Sequence, residues 1–197
     1  MKILIPIAAF IFVLTGFISV SAQQGDPPPP APEYSPKIWK EYTFADDSVR
    51  FRFPVEPVKE ETVTTAAKLP THKFRNTKGS FLYLRLDVVS APGDLVADPK
   101  LVLKSMEEGL LASMKDFEVK IIKNEATTVD GNAGKFIQIE TNDGRVMRYK
   151  IFVAGNKVYT AAVAVAKGKQ HGFNWENDFE VPAMGFLDSI HVIVSNK

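Results

Sequence analysis

Arg145-Val146-Met147-Arg148-Tyr149-Lys150-Ile151-Phe152-Val153-Ala154-Gly155-Asn156-Lys157-Val158-Tyr159-Thr160-Ala161-Ala162-Val163-Ala164-Val165-Ala166 is a pair of apolar arms around a Gly-Asn step. That step accepts positive φ and suits a two-residue type I′ or II′ turn, so the arms read as two long inner strands of a hairpin. Side chains alternate along a strand. Pairing outward from the turn therefore puts Met147, Tyr149, Ile151 and Val153 on one face with Val158, Thr160, Ala162 and Ala164. Alanine is a poor strand former, so its repetition here implies a bulky neighbour, expected to be a helix, pressed against that face.

Working upstream, Asn142-Asp143-Gly144 and Val129-Asp130-Gly131-Asn132 mark two further corners. Between them Ala133 to Glu140 forms a strand, and before them Phe117, Val119 and Ile121 alternate and are expected to point inward. Four successive antiparallel strands follow. Further back, Ser80 to Val89 reads as a central strand, with Leu82, Leu84, Leu86 and Val88 on one face and Phe81, Tyr83, Arg85 and Asp87 on the other. Asp98-Pro99 then supplies a capping acceptor and a first-turn proline. Val102, Leu103, Met106, Leu110 and Met114 recur at helical spacing, which predicts an amphipathic helix from about Pro99 to Met114, its methionines filling gaps in the core.

At the two ends, Trp39 to Phe44 and Val49 to Phe53 read as short strands, with Val49, Phe51 and Phe53 inward. Lys59 to Ala66 and Leu69 to Thr77 are expected as edge strands. A helical turn is expected within Asn174 to Glu180. Pro182 opens a last helix burying Met184, Phe186 and Leu187, and Ile190, Val192 and Val194 close the chain as a strand or extended tail. The fold class is α+β: an antiparallel β-sheet meander covered by helices.

The chain has 197 residues, 45% of them apolar and 24% charged, which suits a single domain with appendages. Met1-Lys2, the apolar run Ile3 to Val20, and Val20-Ser21-Ala22 match a secretory signal peptide, with cleavage expected after Ala22. An uncleaved anchor is the alternative; no later stretch is long enough to span a bilayer. Residues 23–36, with Pro27 to Pro30, Pro32 and Pro36, form a proline-rich spacer in extended conformation, and residues 37–197 the domain. Loss of residues 1–22 removes Lys2 and leaves 23 bases against 23 acids, so no basic field recruits nucleic acid or anionic lipid. With no cysteine there is no disulfide framework. A disulfide-free secreted domain of this size points to the bacterial periplasm or exterior.

Three strings in order carry a family resemblance: Phe51-Arg52-Phe53-Pro54-Val55-Glu56-Pro57, Val129-Asp130-Gly131-Asn132-Ala133-Gly134-Lys135, and Phe186-Leu187-Asp188-Ser189-Ile190, the last preceded by the Gly-Asn hairpin with Tyr159 on its second arm. Together they resemble the PsbP-like superfamily over about residues 37–194. The resemblance implies an antiparallel sheet sandwiched between helices in an α-β-α arrangement, in a non-enzymatic domain that binds or stabilises protein partners. None of the strings is a binding motif, so no family binding residue is carried over.

No catalytic, cofactor or metal signature is present in the sequence. Asp188, Ser189 and His191 are near in sequence, but helix termination and a half-exposed strand position account for them. His72 reads as a surface residue of an edge strand. Lys167-Gly168-Lys169-Gln170-His171-Gly172 is a glycine-flanked basic loop able to meet an anion, without the Lys-Ser/Thr step of a phosphate loop. Asp46-Asp47 and Asn142-Asp143 lack calcium-loop spacing and read as turns. Trp39 and Trp175 sit at domain boundaries, where an aromatic closes a core or anchors a partner. The candidate partner or anion contacts are thus Trp39, Trp175, Lys167, Lys169 and His171. The leading expectation is a binding or accessory module engaging an envelope protein. The alternatives are a small periplasmic hydrolase using His171 or His191, and a carrier of an apolar ligand.

Overall fold

The hairpin forms as the sequence indicates, in strands β8 (Arg145–Ala154) and β9 (Lys157–Ala166), with Met147 opposite Ala164, Tyr149 opposite Ala162, Ile151 opposite Thr160 and Val153 opposite Val158. Gly155 has φ 58° and Asn156 lies outside the positive region, which selects the type II′ alternative. In this computed structural model the described residues are 35–44, 48–63, 69–75, 82–93, 96–166 and 179–193. The expected signal segment, most of the spacer, the Asp46-Asp47 turn and the stretch holding Lys167, Lys169, His171 and Trp175 lie outside them.

Strands β6 (Val119–Val129) and β7 (Asn132–Thr141) complete the four-strand meander. Their turn is a tight one: Asp130 at φ 48° and Gly131 at φ 80° are both left-handed, as a type I′ turn requires. Strand β5 (Tyr83–Ser90) docks on β9, and β4 (Pro70–Arg75) and β3 (Val58–Val63) follow, giving an antiparallel seven-stranded sheet in the order β3-β4-β5-β9-β8-β7-β6. A second, three-stranded sheet joins β1 (Lys40–Thr43), β2 (Val49–Phe53) and β10 (His191–Val192) in the order β1-β2-β10.

Helix α1 (Pro99–Ser113) lies over β7 and β8. Asp98 caps it, its Oδ1 accepting from the N–H groups of Lys100 at 3.0 Å and Leu101 at 3.2 Å. The expected stripe Val102, Leu103, Met106, Leu110 and Met114 is buried with Ile137, Tyr149, Ile151, Ala162 and Ala164, and both methionines fill that core. Each large side chain so buried contributes about 1.5–3 kcal/mol. The opposite sheet face, with Leu82, Leu84, Leu86, Ala161 and Val163, packs against α2 (Val181–Asp188) and the small sheet. Phe51 meets Phe74 at 5.1 Å between ring centroids, and Phe53 meets Phe186 at 5.2 Å, so aromatic rings fill the space between the layers.

Several expectations need correction. Strand β4 is interior, between β3 and β5, so His72 is partly buried with its ring edge-on to Phe44 at 4.9 Å. Ile121 does not point inward: β6 is the outer strand, its register shifts between Ile121 and Lys123, and Ile121 and Ile122 are both exposed. Pro36 belongs to the folded body, because it starts a 3-10 turn (Pro36–Ile38) whose ring lies against Gly185 of α2. The closing strand expected over Ile190, Val192 and Val194 forms, among the described residues, at His191–Val192, aligned on Val49 and Arg50; Val194 lies outside them.

Candidate functional site

Charged residues on an inner strand are exceptional because they exchange hydration for whatever the protein supplies. On β5, Arg85 and Asp87 occupy alternate positions and point to the α1 side, yet their side chains are only 3% and 1% exposed. Arg85 Nε donates to Asp87 Oδ1 at 2.7 Å and its Nη2 to Oδ2, a bidentate contact that satisfies both carboxylate oxygens. Burial pushes the Asp87 carboxyl up from its ordinary value, and the guanidinium beside it pulls the other way.

The antiparallel register extends this charge across the strands. Arg75 of β4 stands opposite Arg85, Lys73 opposite Asp87, and Glu60 of β3 opposite Lys73. Arg75 Nε donates to Glu60 Oε1 at 3.0 Å, and this hydrogen bond holds the Glu60 carboxyl below its usual range despite partial burial. Tyr83 borders the group, its phenol raised chiefly by burial. The result is a pre-ordered row of paired charges from the sheet interior to the half-exposed Glu60–Arg75 pair. Only the Glu60–Arg75 end of this row is open to a polar partner, and no nucleophile is among the residues named. The sequence signal is the opposite signs of Arg85 and Asp87 at i and i+2, on a strand whose other face carries Leu84, Leu86 and Val88; alternation alone does not show that the charged face is buried as well.

On the other side of the sheet, polar side chains fasten layers together. Lys150 Nζ donates to Leu187 O at 2.8 Å and reaches Asp188 Oδ1 at 2.7 Å, closing the C-terminal end of α2. Arg148 holds Glu180 before α2, bonds Gln138 Oε1 at 3.1 Å and stacks 5.0 Å from the Phe179 ring. Ser189 Oγ accepts from Arg52 N–H at 3.0 Å and donates to Phe186 O at 2.7 Å. Asp130, at the β6–β7 turn, accepts from Val192 N–H at 2.7 Å and lies 3.3 Å from His191 Nδ1, with the imidazole 45% exposed.

The fold therefore does not assemble Asp188, Ser189 and His191 into one constellation. Each is engaged by a different element. Trp39 is 6% exposed and lies in the core cluster with Phe53 and Phe186. Among the described residues there is no group of three or more metal-ligating side chains and no helix long and apolar enough to cross a membrane.

No family model matches the chain, and no curated protein matches it in sequence. In structure it resembles the solution structure of cyanobacterial PsbP (CyanoP) from Synechocystis, with a TM-score of 0.55 at 17% identity, over 79% of this chain and 92% of that one. The fold is PsbP-like. Looser similarities are to the Saccharomyces cerevisiae Ran-binding protein Mog1p, with a TM-score of 0.46 at 10% identity over 78% of this chain and 95% of that one, and to a Bacteroides thetaiotaomicron protein, with a TM-score of 0.40 at 11% identity over 80% and 50%. At such identities the PsbP-like likeness concerns the fold, and the function has to be argued from this chain's own residues.

Proposed function

We propose that this chain is a non-enzymatic accessory domain of the bacterial envelope, exported by its N-terminal segment, held on a proline-rich tether and engaging a protein partner. The observation that carries the reading is the way its chemistry-bearing side chains are used. Ser189, Asp188, His191, Arg148 and Lys150 lock α2 and the small sheet to the main sheet, while on the other face the Glu60–Arg75 pair presents fixed charges at the surface beside the buried Arg85–Asp87 pair. Rigid surfaces bearing fixed polar groups suit recognition, since little ordering entropy remains to be lost on binding. The PsbP-like fold is compatible with this reading, and the ring-on-ring filling of the inter-layer core favours it over a carrier of an apolar ligand.

The test is in-cell crosslinking followed by cell fractionation, comparing the wild-type chain with Glu60→Lys. Expected are a mature N-terminus at Gln23 in the envelope fraction and one crosslinked envelope protein that Glu60→Lys loses. A cytoplasmic, unprocessed chain refutes the address. Ester or amide turnover abolished by His191→Ala refutes the non-enzymatic reading.

A further inference from the structure

A sheet edge presents a row of unpaired N–H and C=O groups, and proteins normally blunt such rows. Strand β6 is the outer strand of the large sheet and, at Val119–Val129, the longest strand among the described residues; most of its residues are exposed. Its turn fixes which groups face outward. Val129 and Asn132 flank a two-residue turn and so form a hydrogen-bonded pair, and pairing alternates from there through Thr127–Gly134 and Glu125–Phe136. Asn124, Ala126 and Thr128 consequently turn their backbone N–H and C=O away from β7, towards the open edge.

The side chains along this edge are self-complementary. When a second β6 runs antiparallel with Asn124 opposite Asn124 on a two-fold axis, Lys123 of each copy stands opposite Glu125 of the other, and Ile121 and Ile122, beyond the register shift, lie near Ala126 and Thr127 of the other copy. Lys123 and Glu125 lie on one face and form an ion pair at 2.8 Å within the strand, so both charges are already in place. The exposed Ile121 and Ile122 gain cover in that arrangement. The other edge of the sheet does not share this property: self-pairing of β3 about its centre sets Glu60 against Glu61, two like charges. Lysines and the register shift at Ile121–Lys123 discourage indiscriminate pairing along β6, and a partner carrying the matching glutamate meets that requirement.

We infer that β6 is a self-recognition edge, through which a second copy of this chain pairs antiparallel about Asn124 to continue the seven-stranded sheet across a two-fold axis. The pairing is isologous and closes at a dimer.

Sedimentation equilibrium of the processed protein, expressed with its own N-terminal segment, tests this together with K123E, E125K and the double exchange K123E/E125K. A dimer is expected, with each single reversal weakening association roughly tenfold or more because it sets like charges opposite each other at two symmetry-related positions. The double exchange restores opposite charges and should recover the dimer, which separates the interface from any loss of folding. Because the chain has no cysteine, N124C supplies a second readout: a disulfide dimer should form on mild oxidation, since opposed strand residues at about 5.5 Å fall within disulfide reach. A monomer at every concentration up to about 0.5 mM overturns the inference. So does a dimer indifferent to both single reversals.

Discussion

Removing one partner of the Arg85–Asp87 pair should cost far more than removing both. Both side chains are almost fully buried on an inner strand, and each carboxylate oxygen takes one guanidinium N–H. In Asp87→Leu the guanidinium keeps its charge without its counter-ion in a low-dielectric site, a situation that costs about 3–5 kcal/mol. Against the roughly 5–15 kcal/mol typical of a domain, that is about a fifth or more of the total. Arg85→Leu strands the carboxylate in the same way, although protonation of Asp87, whose affinity for a proton burial already raises, softens that loss at low pH. The double variant Arg85→Leu/Asp87→Leu removes both charges and leaves an apolar patch next to Tyr149 and Ala162; its cost should fall below that of either single change. Urea unfolding at pH 7, with m-values checked for constancy, measures all three. Single changes costing under about 1 kcal/mol each, or strict additivity in the double variant, would show that the pair is hydrated and would refute the reasoning.

Gly185→Ala drives a Cβ into the Pro36 ring, so α2 or the 3-10 turn must shift; a loss of about 1–3 kcal/mol is expected by thermal unfolding, with partial rescue by Pro36→Ala. Lys150→Met removes the contacts to Leu187 O and Asp188; amide exchange in the last turn of α2 should accelerate, with about 1–2 kcal/mol lost globally. Asp143 is held at about 2, chiefly by its hydrogen bond from Arg145, with burial opposing and Thr141 adding to the depression. A carboxyl depressed in the folded state contributes stability above its unfolded value near 3.8, lost as pH falls towards 2, so Asp143→Asn should flatten the acid limb of a stability–pH curve over that window. Solvent screening at this partly exposed corner keeps the effect below about 1 kcal/mol.

Most of the architecture was legible because it rests on local chemistry. Gly155-Asn156, Asp130-Gly131 and Asp143-Gly144 specify corners through backbone φ, and the alternation of Met147, Tyr149, Ile151 and Val153 specifies a face. The alanines opposite them signalled a bulky cover, and α1 does share that core. Asp98 and Pro99 marked the start of that helix to the residue. What escaped was everything decided by distant neighbours. Ile121 has the pattern of an inward residue, but a strand with no outer partner leaves it exposed. His72 sits on a strand of mixed polarity that β3 happens to flank. The closing strand was legible in the alternation of Ile190 and Val192, but its partners were not: β2 and the Asp130 carboxylate hold it.

The residues by themselves thus determined the meander, the capped helix and the α+β class, because turns, caps and periodicity act over a few positions along the chain. Only the tertiary structure decided that Arg85 and Asp87 are buried partners, that Asp188, Ser189 and His191 face three different elements, and that β6 stands at an open edge. Burial, charge pairing and edge position depend on which strands become neighbours, and pairings such as β5 with β9 join segments more than 60 residues apart.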